Sequence, residues 1–191
     1  MSQLLVTIFF GSIGLIFLPA YMPELNQLLS NSVYILFVSI LVFLNSILVI
    51  LYLNISKLSN ISFLKNFLRY FVVFNSYSTK ELVNVLLLST MRYIVFTTQF
   101  FILLRIFTVN ITYIDAIVLI MNMLLIVSII PTIALTEIGV RGSVAVYLFG
   151  LLSLNISGVL SATLVLWLVN LIFPAIIGVL FIFTLKFFRK E

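Results

Sequence analysis

Long apolar stretches without charged residues constrain this chain more than any other feature of its sequence. Residues 33–53 and 157–185 contain no lysine, arginine, aspartate or glutamate, and a helix needs about 20 such residues to cross a bilayer. In lipid, backbone N–H and C=O groups must be satisfied within the protein, which leaves helices or closed barrels. Barrel strands alternate apolar and polar residues, whereas these stretches are continuously apolar, so they predict helices.

The composition excludes an ordinary soluble domain. Hydrophobic residues make up 64% of the 191 residues and charged residues 8%, against about 25% charged in a typical soluble domain. A small fold leaves much of its surface in water and cannot hide this much apolar area. We therefore predict an all-α, polytopic transmembrane helical bundle in which residues 1–191 form a single integral membrane domain.

The chain divides into about six membrane segments. Their approximate ranges are 4–18, 33–53, 82–106, 114–130, 137–154 and 157–185. A broken or re-entrant helix is expected near residues 131–154, because Pro131 lacks a backbone N–H, and because Gly139 and Gly142 permit unusual dihedral angles or close helix contact. Pro131 and Gly142 are the predicted positions of the break.

Residues 57–81 differ from the apolar segments because basic residues alternate there with phenylalanines. One interpretation is a helix that lies in the membrane interface, with its basic residues toward the headgroups and its aromatic residues toward the acyl chains. The alternative is a cytoplasmic loop followed by a fraying helix end. The sequence leaves both open.

The distribution of basic residues predicts the orientation in the cell membrane. They cluster at positions 57–80 and 186–190, whereas the loops at 20–31 and 108–113 have none. Cytoplasmic loops are enriched in lysine and arginine, so both clusters are expected in the cytoplasm, with an even number of crossings between them. Six crossings with both termini cytoplasmic satisfy this condition. If segment 137–154 is re-entrant instead, the C-terminus lies outside.

The residue types that most catalytic sites need are missing. The chain has no histidine and no cysteine, which removes the commonest general base and all thiolate metal ligands, and it has no paired-carboxylate motif. We therefore predict no enzyme activity, no cofactor and no metal site. The net charge of +5 lies mostly in loops, where it reports membrane orientation rather than nucleic-acid binding.

Two polar residues stand inside the predicted third membrane segment. Arg92 and Gln99 are seven residues apart, so they share one face of a helix. A charge at this depth costs at least about 2.5 kcal/mol unless it is paired or faces water, which makes Arg92 a candidate functional residue. The alternative interpretation is structural: Arg92 pairs with Glu137 or Asp115 and holds helices together.

A second candidate group follows Pro131. Glu137 and Arg141 are four residues apart, so on a helix they can pair along one face. Broken helices at membrane depth are tolerated where they line a cavity or are buried in protein, and transporters use them to direct helix ends at charged substrate groups. The alternative is a loop at the membrane surface with a solvated salt bridge.

Residues 136–142 (TEIGVRG) resemble the signature of the lysylphosphatidylglycerol synthase/flippase membrane-domain family, also called flippase-like proteins. In that family a proline is followed by a loop that reads roughly GGLGVRE. The chain shares the core Gly139, Val140 and Arg141. It lacks the two leading glycines, and its acidic residue, Glu137, precedes the arginine instead of following it.

A second string supports the same resemblance. Residues 88–99 (LSTMRYIVFTTQ) are similar to the family's serine–arginine–tyrosine helix, which has a glutamine two turns later. The resemblance covers roughly residues 65–185. Family members usually carry additional N-terminal spans, so the chain is expected to be N-terminally short.

The resemblance implies a membrane domain that handles lipids. Relatives translocate an aminoacylated phospholipid made by a fused soluble synthase domain, or are linked to isoprenoid-lipid glycan pathways. The soluble domain has no counterpart in these residues, so aminoacyl transfer is not expected. The predicted partner is a membrane lipid.

The resulting hypothesis is a protein that binds or translocates an anionic phospholipid or a lipid-linked isoprenoid intermediate. Its predicted lipid-binding residues are Arg92, Gln99, Glu137, Gly139 and Arg141. The two arginines would hold a phosphate in one shared cavity. Either Gln99 and Glu137 orient the arginines, or Glu137 neutralises Arg141 until lipid arrives. The alternative function is a helper subunit that scaffolds a membrane-bound glycosyltransferase or lipid synthase. Self-association into a homo-oligomer is left open.

Overall fold

The computed structural model describes residues 1–28, 30–54, 78–131 and 134–184. Its helices are α1 (Ser2–Phe17), α2 (Pro23–Leu28), α3 (Asn31–Leu53), α4 (Thr79–Ile106), α5 (Tyr113–Ile129), α6 (Ala134–Phe149), α7 (Ile156–Trp167) and α8 (Phe173–Thr184). A 3-10 turn, Leu18–Ala20, extends α1, and a π-helical turn, Leu168–Ile172, joins α7 to α8. The described residues contain no β-strand, so the predicted all-α fold is confirmed.

Four helical stretches of the described chain are long and apolar enough to cross a membrane. They are Ser2–Ala20, Asn31–Leu53, Thr79–Ile106 and Ile156–Phe183. Helix α5 is apolar but shorter, with 17 residues. The chain is therefore a helical membrane protein, as its apolar pattern predicts, while the number of crossings and the orientation stay predictions.

Helices α4 and α5 each begin with a side chain that accepts a hydrogen bond from an N–H group of the first turn. Before α4, the backbone N–H of Ser78 donates to Oε2 of Glu81 at 2.7 Å, and the N–H of Glu81 donates back to Ser78 Oγ at 3.3 Å. Before α5, Thr112 Oγ1 accepts from the N–H of Asp115 at 3.3 Å. The reciprocal contacts before α4 form a capping box, and the contact before α5 is a single N-cap hydrogen bond. The acidic residue in each first turn also suits the positive end of the helix dipole.

Two expectations about the loops have different outcomes. The predicted loop at residues 20–31 is wrong in part, because it contains the short helix α2. Pro23 opens this helix, and proline favours the first helical position because its φ is already helical and no N–H is lost. The other prediction is an interface helix or a loop at 57–81. Most of this range, residues 57–77, lies outside the described part of the chain.

Residues 1–97 form one compact unit. In it α1 and α3 run antiparallel, because Tyr34 at the start of α3 donates to the carbonyl of Ile16 at 2.9 Å, while Tyr52 at the end of α3 is 2.7 Å from Ser2 Oγ. Polar side chains at both ends thus fix the register of two apolar helices, whose apolar surfaces alone specify no register.

Residues 98–191 form the second unit. One of its aromatic contacts is Phe100 against Phe149, with ring centroids 5.7 Å apart in an edge-to-face arrangement. The large fully buried side chains of this unit are Phe100, Phe149, Leu104, Leu119, Ile120, Met123, Leu148, Leu166, Val109, Val159, Asn122 and Thr163. This core supports α6, α7 and the π-helical turn, which carry most of the candidate residues.

Candidate functional site

Arg92 lies at the middle of α4, 13 residues after Thr79 and 14 before Ile106. It is the only charged residue between Glu81 and Arg105, and its side chain is exposed. At about 1.5 Å of rise per residue, roughly 20 Å of helix separates Arg92 from either end. Of the charged residues on α4, Arg92 is therefore the one farthest from the helix ends.

The neighbouring Tyr93 explains why Arg92 points outward. Tyr93 is buried and stacks on Phe10, with ring centroids 4.7 Å apart. Consecutive residues of a helix point about 100° apart. Packing the tyrosine ring against α1 therefore directs the guanidinium of Arg92 away from the interior of this unit.

Within residues 1–97, no described carboxylate pairs with Arg92. The acidic residues of this part of the chain are Glu24, whose side chain lies outside the description, and Glu81, which is held by Ser78. A guanidinium at membrane depth needs an anion or water to offset its desolvation. The described part of the unit thus leaves Arg92 open to an anion.

Glu137 and Arg141 form an ion pair along α6. Nη2 of Arg141 is 2.5 Å from Oε1 of Glu137, and the two side chains are 14% and 24% exposed. The pairing predicted from their spacing is confirmed. The loop of the alternative interpretation is wrong, because both residues are helical and half-buried, while a position at the membrane surface stays a prediction. Each charge offsets the desolvation of the other.

The chain breaks at Pro131, as predicted. Helix α5 ends at Ile129, Pro131 is non-helical and exposed, and α6 begins at Ala134. Proline cannot supply the N–H that would continue α5. Residues 132–133 lie outside the described chain.

Gly142 is not part of the break, which corrects the prediction. It lies inside α6 and is buried, and a Cβ added there would be 3.4 Å from Cδ2 of Leu160. Helix α7 therefore packs against Gly142, where a Cβ would make an ordinary van der Waals contact. Gly139, one turn earlier, is exposed and an added Cβ would meet nothing within 4 Å, so it presents bare backbone at the surface of α6.

Gln99 is half-buried on α4 and contacts the π-helical turn. Asn170, in that turn, donates from Nδ2 to Oε1 of Gln99 at 3.2 Å, and also to the carbonyl of Leu166 at 2.9 Å. A predicted site residue is therefore paired with a residue absent from the predicted site. Asn170 is exposed, so this amide pair is accessible from outside the protein.

Pro174 explains why the helix departs from regular α geometry beside Asn170. In an α-helix the carbonyl of residue 170 accepts from the N–H of residue 174, and proline has none. The N–H of Phe173 instead donates to the carbonyl of Leu168, five residues back. Such π-helical turns occur frequently at functional sites. Pro174 is therefore the feature of the sequence from which an irregular helix at Asn170 could have been predicted.

An open groove of about 410 Å³ lies between α1 and α3. Its walls are apolar apart from Ser12, Asn45 and Ser46, and Asn45 Nδ2 donates to Ser12 Oγ at 2.9 Å. The groove contains no charged residue. It is therefore a poor site for a charged headgroup, and the charged candidates are those on α4 and α6.

The structure brings together Glu137 with Arg141, and Gln99 with Asn170. Arg92 and Arg141 belong to different compact units, and their shared cavity stays a prediction. The described residues contain no group of three or more acidic, histidine or cysteine side chains that could hold a metal ion.

No protein-family model matches the chain, and neither does any characterised protein or solved structure. The resemblance to flippase-like proteins therefore rests on residues 88–99 and 136–142 alone and stays a prediction.

Proposed function

We propose that this protein binds or translocates an anionic membrane lipid without covalent chemistry. The observation that carries the proposal is Arg92, an exposed guanidinium at the middle of a helix long enough to cross the membrane. A headgroup phosphate can accept two hydrogen bonds from the planar guanidinium fork. Forming that contact offsets the cost of keeping a charge at this depth.

The ion pair on α6 supports the same function. Arg141 is the second arginine of the predicted site, and Glu137 balances its charge in the lipid-free protein. A phosphate that approaches Arg141 has to compete with this carboxylate. Binding there is consequently reversible, which suits a protein that releases its lipid again.

The proposal includes an arrangement in the cell membrane. Six crossings place both basic clusters, and both termini, in the cytoplasm. The four long apolar helices support a multi-pass protein.

A helper subunit is the second candidate, and Arg92 favours it as well. A carboxylate of a partner protein within the bilayer would satisfy the guanidinium as a phosphate does. The two functions differ in what stays bound to the purified protein, a lipid or a polypeptide.

Native mass spectrometry of the detergent-purified protein tests the proposal. The protein is offered equal amounts of phosphatidylglycerol, which is anionic, and phosphatidylcholine, which is zwitterionic. We expect the wild type to retain the anionic lipid and Arg92→Gln to retain it about tenfold to a hundredfold less, since a hydrogen bond to a charged group is worth about 1.5–3 kcal/mol. Arg105→Gln, at the end of the same helix, is the matched control and should behave as wild type.

Two outcomes would overturn the proposal. The first is equal retention of both lipids by the wild type. The second is a polypeptide that co-purifies with the wild type and is lost from Arg92→Gln, which would establish the helper subunit instead.

A further inference from the structure

The π-helical turn places a polar side chain deep within a membrane-spanning helix. Asn170 lies 14 residues after Ile156 and 13 residues before Phe183, the ends of that span. About 20 Å of helix therefore separates Asn170 from either end. Hydrocarbon offers no hydrogen bonds at this depth, so any polar group that the protein leaves open must find its partner in a bound molecule or in trapped water.

The amide pair at this position uses only half of its hydrogen-bonding groups. An amide nitrogen carries two hydrogens, and both of those on Asn170 Nδ2 are used, one toward Gln99 Oε1 and one toward the carbonyl of Leu166. Asn170 Oδ1 and Gln99 Nε2 have no partner among the described residues. One acceptor and one donor are consequently left on two amide groups that are hydrogen-bonded to each other.

Trp167 adds an unused donor on the same helix. Its indole Nε1 is buried and has no partner in the described part of the chain. Trp167 lies three residues before Asn170, a spacing that places two side chains on neighbouring positions of a helix surface. The start of the turn thus carries a further donor that has no partner among the described residues.

We propose that Gln99 and Asn170 bind a hydroxyl group of a lipid headgroup. A hydroxyl donates one hydrogen bond and accepts others, so it can donate to Asn170 Oδ1 and accept from Gln99 Nε2 at once. A phosphodiester or an ester carbonyl only accepts, and an ammonium only donates. Each of these leaves one of the two amide groups unsatisfied.

This inference rests on the proposed function, because the bound molecule is taken to be a lipid. It narrows that lipid to one whose headgroup carries a hydroxyl. The charge of the lipid and its hydroxyl are recognised by different side chains, so the two contributions can be measured separately.

The test compares two lipids of equal charge by native mass spectrometry. Phosphatidylglycerol and phosphatidylethanol with matched acyl chains both carry one negative charge, and only the first has headgroup hydroxyls. We expect the wild type to prefer phosphatidylglycerol by about threefold to tenfold, the range that hydrogen bonds within membranes supply. Gln99→Leu and Asn170→Leu should each abolish this preference while still binding both anionic lipids.

Asn84→Leu is the matched control, because Asn84 is an exposed amide on the same helix as Gln99. It should keep the wild-type preference. Circular dichroism and size-exclusion chromatography establish that each variant is folded, and if Asn170→Leu does not fold, Gln99→Leu decides the result.

The outcomes separate this inference from the proposed function. Equal binding of the two anionic lipids, with phosphatidylcholine bound less, overturns the hydroxyl site and leaves the proposed function standing. A preference that persists in both leucine variants also overturns the hydroxyl site. Equal binding of all three lipids overturns the proposed function itself.

Discussion

Asn155 donates a hydrogen bond from Nδ2 to the backbone carbonyl of Phe107 at 3.0 Å, and so joins the start of α7 to the end of α4. Its Oδ1 accepts from the N–H of Gly158 at 2.9 Å, which caps α7. Gly158 is required there, because an added Cβ would lie 2.6 Å from the carbonyl oxygen of Phe107. One side chain thus satisfies backbone groups at two helix ends.

Replacing Asn155 should destabilise the protein in steps. We expect Asn155→Ala to lower the free energy of unfolding by about 1–3 kcal/mol, because it removes the cap and leaves the Phe107 carbonyl without this donor. Asn155→Ser keeps a capping oxygen but is too short to reach Phe107, so its loss should be smaller. Thermal unfolding in detergent measures both, and an unfolding temperature unchanged in Asn155→Ala would refute the joint role.

The two glycines of α6 should respond differently to the same substitution. Gly142→Leu inserts a whole side chain at a position where an added Cβ alone would lie 3.4 Å from Cδ2 of Leu160. Overpacking of this kind costs about 1–3 kcal/mol. Gly139→Leu has open space around it and should be tolerated, with the helix favoured because glycine has poor helix propensity. Equal unfolding temperatures for the two variants would contradict the close packing of α6 on α7.

Thr108 holds a strained backbone conformation directly after α4. Its φ is 57°, in the left-handed region where a β-branched residue is a genuine outlier. We expect Thr108→Gly to raise the free energy of unfolding by up to about 1 kcal/mol, since glycine adopts this conformation without a Cβ clash. Thr108→Ala keeps the Cβ and should give no gain. A glycine variant no more stable than the alanine variant would show that the strain is compensated by contacts of the threonine.

Anionic lipid should stabilise the wild type more than a variant without the central charge. Arg92→Leu removes a guanidinium from the middle of α4, so we expect it to be at least as stable as wild type in zwitterionic detergent. A ligand that binds only the folded state raises its stability with concentration. Titrating phosphatidylglycerol should therefore raise the unfolding temperature of the wild type and leave that of Arg92→Leu unchanged. Parallel increases in both proteins would place the anion site elsewhere.

The long apolar helices could be predicted from the sequence because the length of each apolar run indicates them. The sequence predicts a helix at 33–53, and α3 spans Asn31–Leu53. It also predicts a helix at 114–130, and α5 spans Tyr113–Ile129. The break at Pro131 was also predictable from the sequence, because proline lacks the backbone N–H that would continue the helix. The spacing of Glu137 and Arg141 fixed their pairing once the segment was helical.

The features that the sequence did not predict depend on neighbours distant along the chain. Whether a glycine breaks a helix or admits a neighbour depends on which helix approaches it, and Gly142 meets Leu160 of α7. The π-helical turn lies inside a segment whose apolar residues predict a continuous helix. Gln99, the hydrogen-bond partner of Asn170 in this turn, lies 71 residues away in the sequence. A local sequence pattern cannot predict a contact over that separation.

Cross-linking can test the contact between Gln99 and Asn170 directly, because the chain contains no cysteine. The double variant Gln99→Cys/Asn170→Cys should be joined efficiently by a short bifunctional thiol reagent. Gln99→Cys/Val169→Cys is the matched control, since Val169 is exposed and points about 100° away around the helix. We expect much less product from the control pair.

Pro174→Ala should reduce the cross-linking of the first pair. Alanine restores the N–H that an α-helix supplies to the carbonyl of Asn170, so regular α geometry becomes favourable where the π-helical turn now stands. Removing the turn rotates Asn170 relative to the start of the helix and carries its side chain away from Gln99. An undiminished yield in Pro174→Ala would mean that packing, rather than the missing N–H, holds the turn in place.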